Sequence, residues 1–140
     1  MTRIVSRVII CAAALALAGC PNTKSNAPPP NSTPIAVKAG ELLTEYGTNA
    51  VGADAKYKGK LVRVTGKFGG AQSVPLYGYA VQLLPEESGD AALSGVQCFI
   101  LEEAKSDVAN MQPGQIVTLE GTCDGQAIGQ IKMTRCKVVK

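Results

Sequence analysis

Histidine and tryptophan are both absent from these 140 residues, and aromatic side chains make up only 4% of them. Without histidine there is no Ser-His or Cys-His nucleophile pair, and zinc is left with all-Cys or Cys/carboxylate ligand sets. No serine is followed three residues later by lysine, so a Ser-x-x-Lys site is excluded as well. Neither common glycine-rich phosphate loop occurs. The carboxylate pairs Glu86-Glu87 and Glu102-Glu103 are sequence neighbours and read as solvated loop or helix faces. The expectation is a protein that is not an enzyme and has no catalytic residue, metal or diffusible cofactor.

A long hydrophobic run is also missing. The longest, Val8 to Ala18, falls short of the roughly 20 apolar residues a spanning helix needs. Arg3 and Arg7 precede it, and small residues end it, which is the layout of a secretory signal peptide. Leu17-Ala18-Gly19-Cys20 resembles the lipobox of bacterial lipoproteins. Small side chains let a signal peptidase reach the backbone, and the Cys20 thiol can carry a thioether-linked diacylglycerol. Residues 1–19 are therefore expected to be removed, together with Cys11. A covalent acyl lipid on Cys20, palmitate-like, would be the only attached group. Residues 20–35 then form a lipidated cysteine and a tether containing Pro28, Pro29, Pro30 and Pro34, extended by about 3.1 Å per residue. Such a chain would sit on the cell membrane or outer membrane, facing periplasm or exterior.

Charge of one sign is scarce in what remains. The full sequence carries +3, but Arg3, Arg7 and Lys24 lie ahead of the domain. The part from Ile35 onward holds eleven basic and eleven acidic residues. Lys56, Lys58, Lys60, Arg63 and Lys67 cluster early and read as a solvated strand face. A nucleic-acid binder usually has a basic excess, because phosphate neutralisation supplies most of its affinity. Nucleic acid is accordingly a less favoured partner than the membrane and an envelope protein or ligand.

Residues 36–140 read as one domain. Leu42, Leu43, Tyr46, Ala50, Ala53 and Tyr57 recur at helical spacing, with Gly47 and Gly52 expected to bend or fray that helix. Residues 58–68 and 113–123 both start at a turn glycine, alternate with period two and contain an internal glycine, Gly66 or Gly121. A glycine inside a half-buried strand suggests a bulge or sharp bend, as barrel corners require. Tyr77 to Leu84, Val96 to Leu101 and Ile131 to Val139 are three further strands. Glu102 to Met111 is a short helix, and a turn is expected near Gly125 to Ala127. The fold class is mainly β: a five-stranded OB-fold barrel with an N-terminal helix and a short helix between strands 3 and 4.

The segments "ELLTEYGTNAVGADAKYKGKLVRVTG", "GVQCFI", "PGQIVTLEGTCDG" and "RCKVV" resemble the tRNA_anti-like family of OB-fold domains, found mostly in bacterial lipoproteins. The resemblance spans residues 40–139. Its most specific pieces are Asp54 to Lys60 and Gly121 to Gly125. It implies an OB-fold and carries no demonstrated tRNA role.

In an OB barrel strands 3 and 5 are neighbours, so Cys98–Cys136 is the preferred disulfide of the three mature cysteines. With the turn near Gly125 to Ala127, Cys123 would oppose residue 130. Packing of all three as small core residues is the competing reading. OB-folds bind ligands on strands 2 and 3 and the adjoining loops, which selects Tyr77, Tyr79, Gln82 and Gln97. The two tyrosines are expected to project the same way. The functional expectation is an exported, lipid-anchored binding or interaction module of the cell envelope. The alternative is a protein that binds single-stranded nucleic acid or oligosaccharide.

Overall fold

Period-two alternation builds most of the molecule. A computed structural model describes residues 31–87 and 94–140. The signal segment, the lipobox with Cys20 and the tether prolines Pro28, Pro29 and Pro30 lie outside the described residues. The elements are β1 (Ile35–Lys38), α1 (Ala39–Thr48), α2 (Ala50–Tyr57), β2 (Leu61–Val74), β3 (Gly78–Leu84) and β4 (Val96–Ile100). A 3-10 turn (Glu102–Ala104), α3 (Lys105–Ala109), β5 (Ile116–Ala127) and β6 (Gln130–Val138) complete the chain.

Five strands close on themselves in the order β2-β3-β4-β6-β5, with β5 returning to β2. The β4–β6 contact is parallel and the other barrel contacts are antiparallel. A sixth strand, β1, was not expected. It lies parallel to β2 with Ile35 opposite Val62, so folded structure starts at the last residue assigned to the tether. Its four residues, next to proline-rich sequence, are too few to show alternation.

The barrel interior is filled by the alternate residues of every strand. Val62 and Val64 of β2, Val81 and Leu83 of β3, Val96 and Cys98 of β4, and Ile131 and Met133 of β6 are all fully buried. Each large apolar side chain taken from water contributes about 1.5–3 kcal/mol. The internal glycines serve close approach. A Cβ on Gly66 would meet Ala39 Cβ and the Leu84 carbonyl oxygen, both at 2.8 Å. The bend expected at Gly66 falls at Gly69 instead: Phe68 pairs with Leu83 and Gly70 with Gln82, leaving Gly69 as the extra residue. Around Gly121 the ladder also shifts, with the extra residue on β6 at Arg135, whose φ is 54°.

The single N-terminal helix is two helices. Asn49 (φ −153°, ψ 86°) leaves the helical region and its side chain accepts a hydrogen bond from the Gly52 N–H at 3.0 Å. That is an N-cap, a role asparagine fills well, and neither Gly47 nor Gly52 makes the break. Leu42, Tyr46, Ala53 and Tyr57 remain buried, while Ala50 is exposed because the break changes the helical phase.

The helix pair is fastened to β5 by the two segments that carry the family resemblance. The Gly59 N–H donates to the Cys123 carbonyl at 2.7 Å, and the Cys123 N–H donates to the Lys60 carbonyl at 3.1 Å. The buried Tyr46 hydroxyl donates to Asp54 Oδ1 at 3.1 Å and contacts Cys123 Sγ at 3.5 Å. Burial, with Cys123 and Asp54 beside it, pushes the Tyr46 hydroxyl well above the usual phenol range. Gly125 has φ 96°, and a Cβ there would lie 2.8 Å from Asp54 Oδ1. These motif residues hold the fold together.

The β5–β6 turn lies further along than expected. Ala127 pairs with Gln130 around Ile128-Gly129, and Cys123 faces Met133, not residue 130. "GQA" continues the strand because the left-handed conformation falls on Ile128 and Gly129 at the tip, as well as on Gly125.

Candidate ligand-binding face

On β3 the inward residues are Val81 and Leu83, so Ala80 and Gln82 point outward. On β4 Val96 and Cys98 are inward, leaving Gln97 and Phe99 outside. Register then places Gly70, Gln82, Gln97 and Lys132 in one row across four strands. Gln72, Ala80 and Phe99 form the next row. The result is a groove of about 180 Å³ with a floor of Gly70 and Ala80 and amides from Gln72, Gln82, Gln97 and Gln130.

Tyr77 forms the edge of this face. It sits in the turn before β3 and is 59% exposed. Its ring packs at 5.3 Å from that of Phe99, and Lys132 Nζ lies 4.9 Å from the Tyr77 centroid and 5.0 Å from that of Phe99. An ammonium over two rings at these distances is a cation–π arrangement. The flanking hairpin tips expose Leu76 and Ile128 fully, at φ 70° and 51°. For a β-branched residue such as Ile128 the left-handed region is a clear outlier, and backbone strain of this kind collects at functional sites.

The structure thus brings Tyr77, Gln82 and Gln97 together and separates Tyr79 from them. β3 begins at Gly78 (φ 82°), so Tyr77 is not yet in the strand and the pleat does not align the two tyrosines. Tyr79 turns to a different cleft, of about 420 Å³, shared with Phe68, Ile100, Val108 and Met111. There Lys105 Nζ lies 4.6 Å from its ring centroid. Phe99, Lys132, Gln72 and Gln130 were missed. Phe99 is hidden in the apolar run "VQCFI", and the other three come from strands whose register the sequence does not show.

The opposite wall of the barrel is a structural ion cluster. Glu120, with 7% of its side chain exposed, accepts from Arg63 Nη2 at 2.7 Å and Nε at 3.1 Å, and pairs with Lys137 Nζ at 3.1 Å. Burial alone would raise its pKa, but the hydrogen bonds and charges of Arg63 and Lys137 hold it below the usual carboxylate range. Thr65 and Thr118 hydroxyls pair beside it at 2.8 Å. Of the early basic cluster, Lys56 and Lys58 are likewise held, by Glu45 and Asp54.

Cys98, Cys123 and Cys136 are all buried free thiols. Cys98 and Cys136 lie on adjacent strands, with the Cys136 thiol against that of Cys98. The hydrogen bond with Cys98 and burial push the Cys136 thiol up, and burial pushes the Cys123 thiol up.

A closed five-stranded barrel with a helix between its third and fourth strands defines the OB-fold class. Within that class the chain belongs to the tRNA_anti-like family, whose profile matches residues 2–137. Among solved structures it is similar to a candidate nucleic acid-binding lipoprotein from Klebsiella pneumoniae, at 20% identity and a TM-score of 0.61, over 74% of this chain and 92% of that one. It is also similar to an asparaginyl-tRNA synthetase from Entamoeba histolytica, at 14% identity and a TM-score of 0.48, over 77% of this chain and 24% of that one. No curated protein matches the chain.

Proposed function

We propose that this protein is an exported OB-fold binding module, without enzymatic activity, anchored at the bacterial cell envelope by lipid on Cys20. Its ligand face is the outer surface of β3, β4 and β6 together with the end of β2 that carries Gly70 and Gln72. The observation that carries the reading is the exposed Tyr77, backed by Phe99 and Lys132, on the same outer face as a groove lined by four glutamines. A tyrosine left 59% exposed contributes little to folding, whereas aromatic platforms are how OB-folds hold planar ligands. The lipobox and the description of the Klebsiella protein as a lipoprotein support the anchor. Residues 21–34 would let the domain stand roughly 40 Å from the acylated cysteine. Two acyl chains anchor stably, where one alone binds reversibly.

The full chain expressed in its own envelope tests both parts. Replacing Cys20 by serine should release the protein from the membrane fraction. A photo-crosslinking residue at Gln72 should form an adduct that the same residue at Arg63, on the opposite wall, does not. Equal adducts at both positions, or none at Gln72, would show that this face does not bind.

A further inference from the structure

We infer that the ligand of this face is an uncharged glycan bearing acetamido groups, and not a nucleic acid. The inference rests on the reading of β3, β4, β6 and the end of β2 as the ligand face. Four neighbouring strands each contribute one glutamine to the groove: Gln72 from β2, Gln82 from β3, Gln97 from β4 and Gln130 from β6. No hydrogen bond or ion pair engages these four amides among the described residues. Each offers donors and an acceptor at once. Sugar hydroxyls and acetamido groups present the same mixture, so every substituent finds a partner without a charge being buried.

Shape agrees with this chemistry. The floor is Gly70 and Ala80, and a Cβ built on Gly70 would meet nothing within 4 Å. The volume of about 180 Å³ accommodates one sugar ring with its substituents. Tyr77 supplies a flat apolar surface at the rim for the C–H face of a pyranose, and Phe99 fixes its orientation. The register sets the two hairpin tips past opposite ends of β4: the β2–β3 tip beyond Phe99 and the β5–β6 tip beyond Val96. Exposed Leu76 and Ile128 are therefore placed to cover neighbouring sugars of a longer glycan.

Charge argues against a polyphosphate. None of the residues lining the groove is charged, and Lys132 is the cation at its rim. Elsewhere, among the described residues, at least seven of the domain's cations lie within 3.4 Å of a carboxylate. Nucleic-acid affinity depends on the number of phosphates neutralised, and a strand crossing this face would meet one ammonium already lying over two rings.

Titration of the detergent-solubilised full chain, followed by calorimetry, separates the cases. The probes are the β-1,4-linked tetramer of N-acetylglucosamine, the corresponding glucose tetramer and a short oligothymidylate. The N-acetylated tetramer should bind more tightly than the glucose tetramer, with affinity unchanged between about 50 and about 200 mM salt. Tyr77→Ala and Gln97→Ala should each weaken it about tenfold, and so should Gln72→Ala, an exposed position where folding is not at risk. If oligothymidylate binds in preference, loses affinity steeply with salt and responds to the same variants, the glycan inference fails and the face stands. Binding of any probe that ignores all three variants overturns both. Failure of both glycans to bind overturns the inference, and the crosslinking experiment then decides the face independently.

Discussion

Replacing Gly121 by alanine should destabilise the domain severely, whereas the same replacement at Gly47 should stabilise it slightly. The methyl added at position 121 would lie 2.5 Å from Cys136 Sγ, 2.8 Å from the Thr134 carbonyl oxygen and 3.2 Å from Cys136 Cα. Non-bonded carbon contacts are comfortable at about 3.5–4.0 Å, so β5 and β6 must part by roughly an ångström. Cys136 is fully buried against Cys98 and cannot swing away, and Thr134 is held opposite Thr122 in the ladder. Overpacking of this kind costs about 1–3 kcal/mol, sometimes more, and the upper end applies because backbone is struck. At about 4–8 °C per kcal/mol for a domain of this size, the midpoint should fall by at least ~10 °C. A Cβ at Gly47 meets nothing within 4 Å, and the residue lies inside α1, where alanine is favoured over glycine by about 0.5–1 kcal/mol. Combining Gly121→Ala with Cys136→Ala removes the sulfur but leaves the Thr134 oxygen, so a double-mutant cycle should recover part of the loss. Urea and thermal unfolding followed by circular dichroism supply the numbers. A Gly121→Ala protein within about 0.5 kcal/mol of the parent, or no recovery in the cycle, would refute the close-approach argument.

Glu120→Gln should cost about 1–3 kcal/mol at neutral pH, because it weakens hydrogen bonds to two cations at a nearly buried site. Since the folded pKa of Glu120 is lowered, its contribution is complete above the unfolded value of about 4.3 and disappears as pH falls through the folded value. Stability measured from neutral pH into acid should fall less steeply in the variant than in the parent. Tyr46→Phe should cost roughly 1–2 kcal/mol by removing the hydroxyl that joins α1 to Asp54 and Cys123, read as a lower urea midpoint. Asn49→Ala should cost about 1 kcal/mol through loss of the α2 cap, with faster amide exchange at Gly52 and little change in the barrel.

The sequence carries the barrel more clearly than the site because strand identity is a local signal and register is not. Alternation in "KLVRVTG" and "QIVTLEG" reflects one face packing inward, and each strand expresses it independently. The family segments were legible for the same reason, since Asp54 to Lys60 and Gly121 to Gly125 are contiguous stretches. What they encode proves to be the seam between the helices and β5. The helix break was marked by Asn49, but a capping residue is visible only to a reader who already suspects a cap. β1 is stabilised by pairing with β2, a long-range contribution that four residues cannot announce.

The groove depends on a single inserted residue. Phe68 points into the core, and strict alternation from there would also turn Gly70 and Gln72 inward. The extra Gly69 reverses the pleat, so that Gly70 meets Gln82 and Gln72 meets Ala80 on the outer face, while Ala71 and Ser73 turn to the Tyr79 cleft. One residue thus moves an amide from an apolar cleft to the candidate site. Gly69 also has little room for a side chain, since a Cβ would sit 3.1 Å from Leu84 Cγ and Cδ1. Bulges of this kind are features that re-aim side chains. Here the re-aimed side chain completes a set of four glutamines drawn from positions 72, 82, 97 and 130. No spacing rule joins those numbers. They become a set only when the bulge, the β3–β4 ladder and the parallel β4–β6 contact act together, which is why the sequence showed the tyrosines of this region first and its amides only in part.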